Sequence, residues 1–217
     1  MLGFFVYMKI LNWNTRGLGS KKKKGIVRSF LSSQNPVVVI LQETKREIWD
    51  RRFMSSVWKG ISVEWVALSA CGASGGIVIM WDSNNLKCIE KVLGSFSVTV
   101  KLNSGEEGSF WLTSVYGPNK PLWRKYFWLE LQDLYGLTFP MWCIGGDFNV
   151  IRRISEKLGD SRLTFNMRCF DEFIRESGLL DPLLRNADFT WSNMQIAPIC
   201  KRLDRFLFSF EWDSFFS

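Results

Sequence analysis

Apolar residues follow two rhythms along the chain, and each change of rhythm marks an element. Val6 to Trp13 is a β-type run that ends in Asn14-Thr15-Arg16-Gly17-Leu18-Gly19. Lys21 to Lys24 then lead into helical spacing at Ile26, Val27, Phe30 and Leu31. Asn35-Pro36 ends that helix, because the residue before a proline is pushed out of the α region. Val37 to Leu41 is continuous and β-branched, the pattern of a strand covered on both faces, and it runs into Gln42-Glu43-Thr44. A helix is expected over about Ile48 to Trp58.

The middle of the chain changes to strands alone. Ser62–Leu68, Gly75–Trp81, Leu86–Leu93, Ser95–Leu102 and Phe110–Tyr116 read as five in succession. Phe96, Val98, Val100 and Leu102 alternate, and Asn103-Ser104-Gly105 is a hairpin turn. Tyr116-Gly117-Pro118-Asn119 closes the last of these strands. Pro121 opens a helix with Trp123, Tyr126, Phe127, Leu131 and Leu134 expected on its buried face. A strand over Met141–Asp147 follows, then a polar loop. The next helix covers about Asn166–Glu176, buries Phe170, Phe173 and Ile174, and stops at Gly178. Asp188–Trp191 and Lys201–Leu207 read as two final strands. Strand–helix alternation at both ends of an all-strand middle predicts two sheets packed face to face with helices outside, a four-layer α/β/β/α sandwich.

Within this pattern one stretch carries chemistry. Trp142-Cys143-Ile144-Gly145-Gly146-Asp147-Phe148-Asn149 is an apolar strand that runs into two glycines and two polar side chains. In extended chain Asp147 and Asn149 would face one side, with Phe148 beneath. The glycines allow close backbone approach or a positive φ. Alone, the stretch could equally be a polar turn. It is joined by Asn14, Glu43 and Tyr116, each at the apparent carboxyl end of another strand, which points to a shared rim. Taken singly, Asn14 could cap a turn, Glu43 could begin a helix, and Tyr116 could be core.

Composition narrows the chemistry. The 217 residues carry a formal net charge of +7, which suits an anionic partner such as nucleic acid. The lysine run reads as a solvated helix start rather than a localisation signal. No apolar run approaches the roughly 20 residues of a membrane span. Residues 1–7 are apolar, lack a basic leader, and are expected to be an extension before a domain over 8–217. Five dispersed cysteines, with no C-x-x-C pair, read as reduced thiols of an intracellular protein. The count of zero histidines removes imidazole bases, nucleophile–His pairs and His-ligated zinc. Catalysis must then rest on carboxylates, amides, Tyr, Lys or Arg, and oxygen donors suit a hard cation.

Leu11-Asn12-Trp13-Asn14-Thr15-Arg16-Gly17-Leu18, Leu41-Gln42-Glu43-Thr44, Val115-Tyr116-Gly117-Pro118-Asn119, Gly145-Gly146-Asp147-Phe148-Asn149, Phe189-Thr190-Trp191 and Arg202-Leu203-Asp204-Arg205-Phe206-Leu207 occur in series. Together they resemble the endonuclease/exonuclease/phosphatase superfamily with its DNase I-like fold. Within it, they are similar to the apurinic-type endonuclease domains of plant non-LTR (LINE-type) retrotransposons. The resemblance implies DNA as partner, Mg²⁺ as cofactor with Mn²⁺ as the alternative, no small-molecule cofactor and no membrane. A nuclear location would follow if the chain serves a retroelement. It implies Glu43 as metal ligand with Asn14 in its shell, Asp147 activating the attacking water, and Asn149 and Tyr116 on the phosphate. It also implies Trp191 and Arg16 near the nucleic acid and Asp204 paired with a histidine of a Ser-Asp-His motif. That motif does not occur here. The expectation is therefore a fold lacking its last strand, Asp204 in an ion pair with Arg202 or Arg205, and weak or absent activity. The alternatives are a catalytically dead retroelement remnant that keeps DNA binding, or a phosphatase of small phosphates or phosphoinositides.

Overall fold

The computed structural model describes residues 8–60, 62–70, 75–105, 108–159 and 162–216. The expected extension over 1–7 and Cys71 lie outside them. Two sheets form the frame. The first takes the order β1 (Ile10–Asn14), β2 (Val38–Gln42), β4 (Ile77–Asp82), β3 (Val63–Leu68). In the second, β11 (Asp204–Phe208), β8 (Trp142–Asp147), β7 (Ser109–Tyr116), β6 (Ser97–Asn103) and β5 (Lys87–Leu93) lie in that order. A two-stranded ribbon, β9 (Trp191–Ser192) and β10 (Cys200–Lys201), stands apart. The helices are α1 (Lys21–Gln34), α2 (Arg51–Val57), α3 (Pro121–Thr138), α4 (Phe165–Glu176) and α5 (Phe210–Phe216).

The two-residue period of a strand sorts these sequences into layers. In β2, Val38 and Ile40 face the second sheet and pack with Val98, Val100, Leu102 and Leu112. Val39 and Leu41 face the other way, against Val27 and Leu31 of α1 and Phe53, Met54 and Val57 of α2. On the far side, Trp142 and Ile144 of β8 meet Phe127, Trp128, Leu131 and Leu134 of α3 and Phe170, Phe173 and Ile174 of α4. Three apolar layers between four structural ones make the expected sandwich. Each large side chain fully buried in them contributes about 1.5–3 kcal/mol.

Several boundaries and faces differ from expectation. Helix α1 is capped by the Ser20 side chain, which accepts from Lys23 N. Its Ile26 and Phe30 are exposed, and only Val27 and Leu31 are buried. Asp50 caps α2 through Phe53 N, so that helix starts three residues later than the apolar pattern suggests. Phe96 precedes β6 and packs beside Phe127 in the α3 layer rather than with Val98. On α3, Trp128 takes the buried place assigned to Trp123 and Tyr126, which are exposed. The Asp188–Trp191 strand shrinks to β9, and the Lys201–Leu207 run breaks into β10 and β11. Helix α5 is an addition that the apolar pattern does not foretell. Its Trp212 and Phe216, four residues apart, bring their rings onto Phe110 between the sheets.

Candidate active site

The strand directions bring the polar strand ends to one rim. β1 runs parallel to β2, with Asn14 opposite Gln42; β4 alone runs back, and β3 runs with β1 and β2, so that the start of β4 at Ile77 and the end of β3 at Leu68 lie at the same end. In the other sheet Tyr116 ends opposite Asp147, and antiparallel β11 begins there with Asp204 opposite Asp147. Carboxyl ends of β1, β2, β7 and β8 thus meet across the sandwich.

Backbone close approach makes the rim tight. Gly146 has φ +153, and a Cβ there would lie 2.1 Å from the Val115 carbonyl oxygen. A Cβ on Gly117 would lie 2.2 Å from the Phe148 carbonyl oxygen. Phe148 is buried against Phe127 and Phe170 and anchors the turn from below. Asn149 is not extended: with φ +51 it curls back, and its N–H donates to Asp147 Oδ1 at 2.8 Å. Its Nδ2 donates to the Gly117 carbonyl at 2.7 Å, and its own carbonyl accepts from the Arg124 guanidinium at 2.7 Å. Arg16 and Glu43 also hold positive φ, at 49° each. Non-glycine residues in the left-handed region cost energy and persist where the surroundings fix them. Here the fixing is visible: Gly17 N donates to Glu43 O at 2.7 Å and Leu18 N to Thr44 O at 3.0 Å, which zips the β1 loop to the β2 loop.

Asp147 stands at the centre. Its second oxygen, Oδ2, accepts from Asn14 Nδ2 at 2.9 Å, a bond that ties one sheet to the other. Asn14 Oδ1 accepts from Arg16 N at 3.2 Å, so the amide's orientation is set at both ends. Burial pushes the Asp147 carboxyl up; the two hydrogen bonds oppose this and the Glu43 charge adds to it. Burial and then the Asp147 charge raise Asp204 to about 7. Tyr116 is pushed up to about 12 by burial, with Glu43 and Asp147 adding to the shift, and Asn149 and Asn119 lie within hydrogen-bonding reach. The phenol therefore stays protonated as a donor.

Asp204 is not in an ion pair with Arg202 or Arg205. Those guanidiniums point away from the rim and bond Asp181 and Glu156. Pleating explains the separation from Arg205, because consecutive residues of β11 face opposite sides; Arg202 lies before the strand begins. Asp204 is instead held through its backbone, where Thr190 Oγ1 accepts from Leu203 N at 3.0 Å and Asp204 N at 2.9 Å. Next to Thr190, Trp191 lies between the Arg16 guanidinium, 5.9 Å from its ring centroid, and Lys201 Nζ at 5.6 Å. Asn12, Asn14, Arg16, Lys23, Trp191 and Asp204 line a cleft of about 580 Å³ here.

The donors at the rim are oxygens: the Glu43 and Asp147 carboxylates and the remaining lone pair of Asn14 Oδ1. The Glu43 charge pushes the Asp147 carboxyl up and the Arg16 charge pulls it down, and Lys45 Nζ lies 4.0 Å from Glu43. Among the described residues no three acidic, Cys or His side chains gather into a metal site. The donor set fits a hard cation that keeps waters and takes phosphate oxygens, as Mg²⁺ does, and does not fit a protein-only cage.

Sequence reasoning named Asn14, Glu43, Tyr116, Asp147 and Asn149, and all sit at this rim; Asp204, Trp191 and Arg16 flank it. It passed over Arg124, Gly117 and Thr190 as site-builders. Arg124 could have been found one helical turn after the Tyr116-Gly117-Pro118-Asn119 stretch.

A family model described as the endonuclease/exonuclease/phosphatase family matches residues 11–211. No curated protein matches the sequence. Among solved structures, the endonuclease domain of TRAS1, a telomere-specific non-LTR retrotransposon, superimposes with a TM-score of 0.69 at 15% identity, over 93% of this chain and 85% of that one. The AP endonuclease LMAP from Leishmania major gives 0.70 at 18%, over 94% and 79%. D. rerio TDP2 complexed with single strand DNA product gives 0.60 at 16%, over 92% and 82%. At such identities these likenesses establish the fold.

Proposed function

The chain belongs to the endonuclease/exonuclease/phosphatase family, and from that premise we propose that it hydrolyses phosphodiester bonds in DNA, as an endonuclease domain of the non-LTR retrotransposon type. The observation that carries this reading is the Asp147 carboxylate, fixed between Asn14 Nδ2 and the Asn149 N–H at the rim shared with Glu43 and Tyr116. A buried carboxylate with a raised proton affinity is suited to take a proton from an attacking water. Both its oxygens already hold a donor, so its orientation costs nothing at the moment of reaction. Asp204, beside it and also raised, would share the proton taken up. Tyr116 and the Asn149 amide would orient the phosphate, and Arg16 and Trp191 would hold the strand.

A divalent cation, Mg²⁺ or Mn²⁺, would be held by Glu43 with Asn14 Oδ1 beside it, and when bound it would neutralise charge developing on the phosphate. The net charge of +7 and the Arg16–Trp191–Lys201 stack favour a nucleic acid over a lipid phosphate. A nuclear site of action would follow from a retroelement role.

Within this chain no imidazole stands by Asp204. Removing one preorganised stabiliser typically lowers turnover about 10²–10³-fold, and turnover is proposed to be reduced by that order. The same observation favours one second reading: a fold that binds DNA and does not cut it. Supercoiled plasmid incubated with Mg²⁺ or with chelator separates the two. Nicking that needs the cation and is lost in Glu43→Ala supports the nuclease; retention of DNA that weakens with salt, with no nicking, supports the second reading.

A further inference from the structure

The rim carries two clefts, and Tyr116 lines one of them. The strand order puts the one beside Trp191 at the β1–β11 end of the rim. The other, about 570 Å³, lies at the opposite end, bounded by Leu68, Gly76, Phe96, Tyr116, Lys120 and Trp123. Its outer lip is the first turns of α3. There Trp123 and Tyr126 are 48% and 55% exposed, with ring centroids 5.9 Å apart and planes tilted by 49°. Burial of α3 is complete without them: Phe127, Trp128, Leu131 and Leu134 make its core face. Two large aromatic rings thus stand in solvent at a cleft mouth where packing does not use them.

The exposed charge on the turns that carry them is positive. Lys120 and Lys125 are exposed on the same turns, and no acid occurs on α3 before Glu130. That carboxylate lies behind the Ser95–Phe96 wall of the cleft, where its charge is taken up by Ser95 N at 2.8 Å, Phe96 N at 3.1 Å and Ser97 Oγ at 2.6 Å. An aromatic face beside cations, continuous through Tyr116 with a phosphate site, has the chemistry that single nucleic-acid strands meet: bases stack on rings and phosphates follow the lysines.

We propose that this second cleft receives a nucleotide on the side of Tyr116 away from Trp191, its unpaired base stacked on Trp123 and its phosphate drawn by Lys120 and Lys125. The inference rests on the DNA reading above and adds a strand-exit subsite to it. Stacking on a ring face tolerates any base, so this subsite supplies affinity and register rather than sequence choice.

The test is anisotropy of a fluorescein-labelled single-stranded 15-mer, with chelator present, on the full chain and on Trp123→Ala, Trp123→Phe and Trp191→Ala, each checked by thermal melting. Trp123→Ala is expected to raise Kd about 5- to 150-fold, the equivalent of ~1–3 kcal/mol per stacked base, and Trp123→Phe to keep most of the affinity. Lys120→Ala/Lys125→Ala, on exposed positions, is expected to lower the slope of log Kd against log salt by about 0.7 for each phosphate that is no longer neutralised. If Trp191→Ala weakens binding and neither Trp123→Ala nor the lysine pair does, the subsite is wrong and the DNA reading stands. If the unaltered chain binds no oligonucleotide, both fall. If Trp123→Ala changes only the sedimentation coefficient, the rings serve self-association and the inference is overturned.

Discussion

Replacement of Arg205 by methionine isolates what holds β11, and with it Asp204, in place. The Arg205 side chain is fully buried. Its Nη1 donates to Asp181 Oδ2 at 2.9 Å and Oδ1 at 3.2 Å, and its Nη2 to Glu156. The guanidinium also lies over Phe170, 5.2 Å from the ring centroid. Arg202 reaches the same two acids, and Arg152 reaches Asp181 at 3.3 Å. Asp181 and Glu156 are almost as buried as Arg205, so the pairs are not surface pairs of little worth. Removing one partner of a buried pair costs about 3–5 kcal/mol, because the remaining charges stay in a dry place. Arg152 and Arg202 still face Asp181, which places the expected loss near the lower figure. A domain has about 5–15 kcal/mol in total. At this size 1 kcal/mol moves Tm by roughly 2–4 °C, so a fall of about 6–12 °C is expected for Arg205→Met. Urea unfolding of the purified variant, read by tryptophan fluorescence, measures it directly. A loss below about 1 kcal/mol with an unchanged m-value would show that the buried pairs of Arg205 are worth no more than surface ones. The same result would detach Asp204 positioning from the arginine cluster.

Three further outcomes follow from the geometry. Gly117→Ala puts a Cβ 2.2 Å from a backbone oxygen that cannot swing aside; it should cost about 1–3 kcal/mol in urea unfolding and depress nicking by displacing Asn149, and wild-type stability would contradict the close approach. Asp204 is raised from 3.8 to about 7, so its stabilising contribution is full below the ordinary carboxylate range and is lost as pH rises towards 7. Asp204→Asn should therefore raise Tm at pH 8 relative to pH 4, compared with the unaltered chain, and superimposable Tm–pH profiles would show that neither burial nor the Asp147 charge raises the Asp204 carboxyl. Trp191→Ala should lower Tm by only a few degrees, because its half-buried ring packs on the edge of the core, while weakening oligonucleotide binding several-fold in anisotropy through the loss of the ring beside Arg16 and Lys201.

How far these features can be read from residues alone depends on whether the information is local. Strands declare themselves because their faces are uniform: β2 is buried along its whole length and its sequence is apolar up to its final glutamine. The rim residues are legible as polar positions closing such runs. Helix faces are less so, since an aromatic residue satisfies helical spacing whether it faces core or solvent. Trp123 and Trp128 differ in fate only because of what lies across from them. Pairing Asp204 with Arg205 fails because neighbours in sequence point apart in a strand; pairing it with Arg202 fails because both arginines are taken by Glu156 and Asp181, more than 20 residues away. The sequence pattern extends Asn149 alongside Asp147; the backbone hydrogen bond that curls it back to Asp147 Oδ1 leaves no mark in composition.

If the rim is a phosphodiesterase site, it is so through Asp147, held by Asn14 and Asn149. Single-turnover nicking of supercoiled DNA with Mg²⁺, enzyme in excess, compared between the unaltered chain and Asp147→Asn tests it most directly. The substitution keeps the shape of the side chain and removes its capacity to take a proton. Slow, cation-dependent nicking is expected, falling at least about 100-fold in Asp147→Asn, in protein that melts cooperatively but at a lower Tm, because the new amide NH2 faces one of the two donors that the carboxylate accepts from. Equal nicking by both proteins would contradict this role of Asp147.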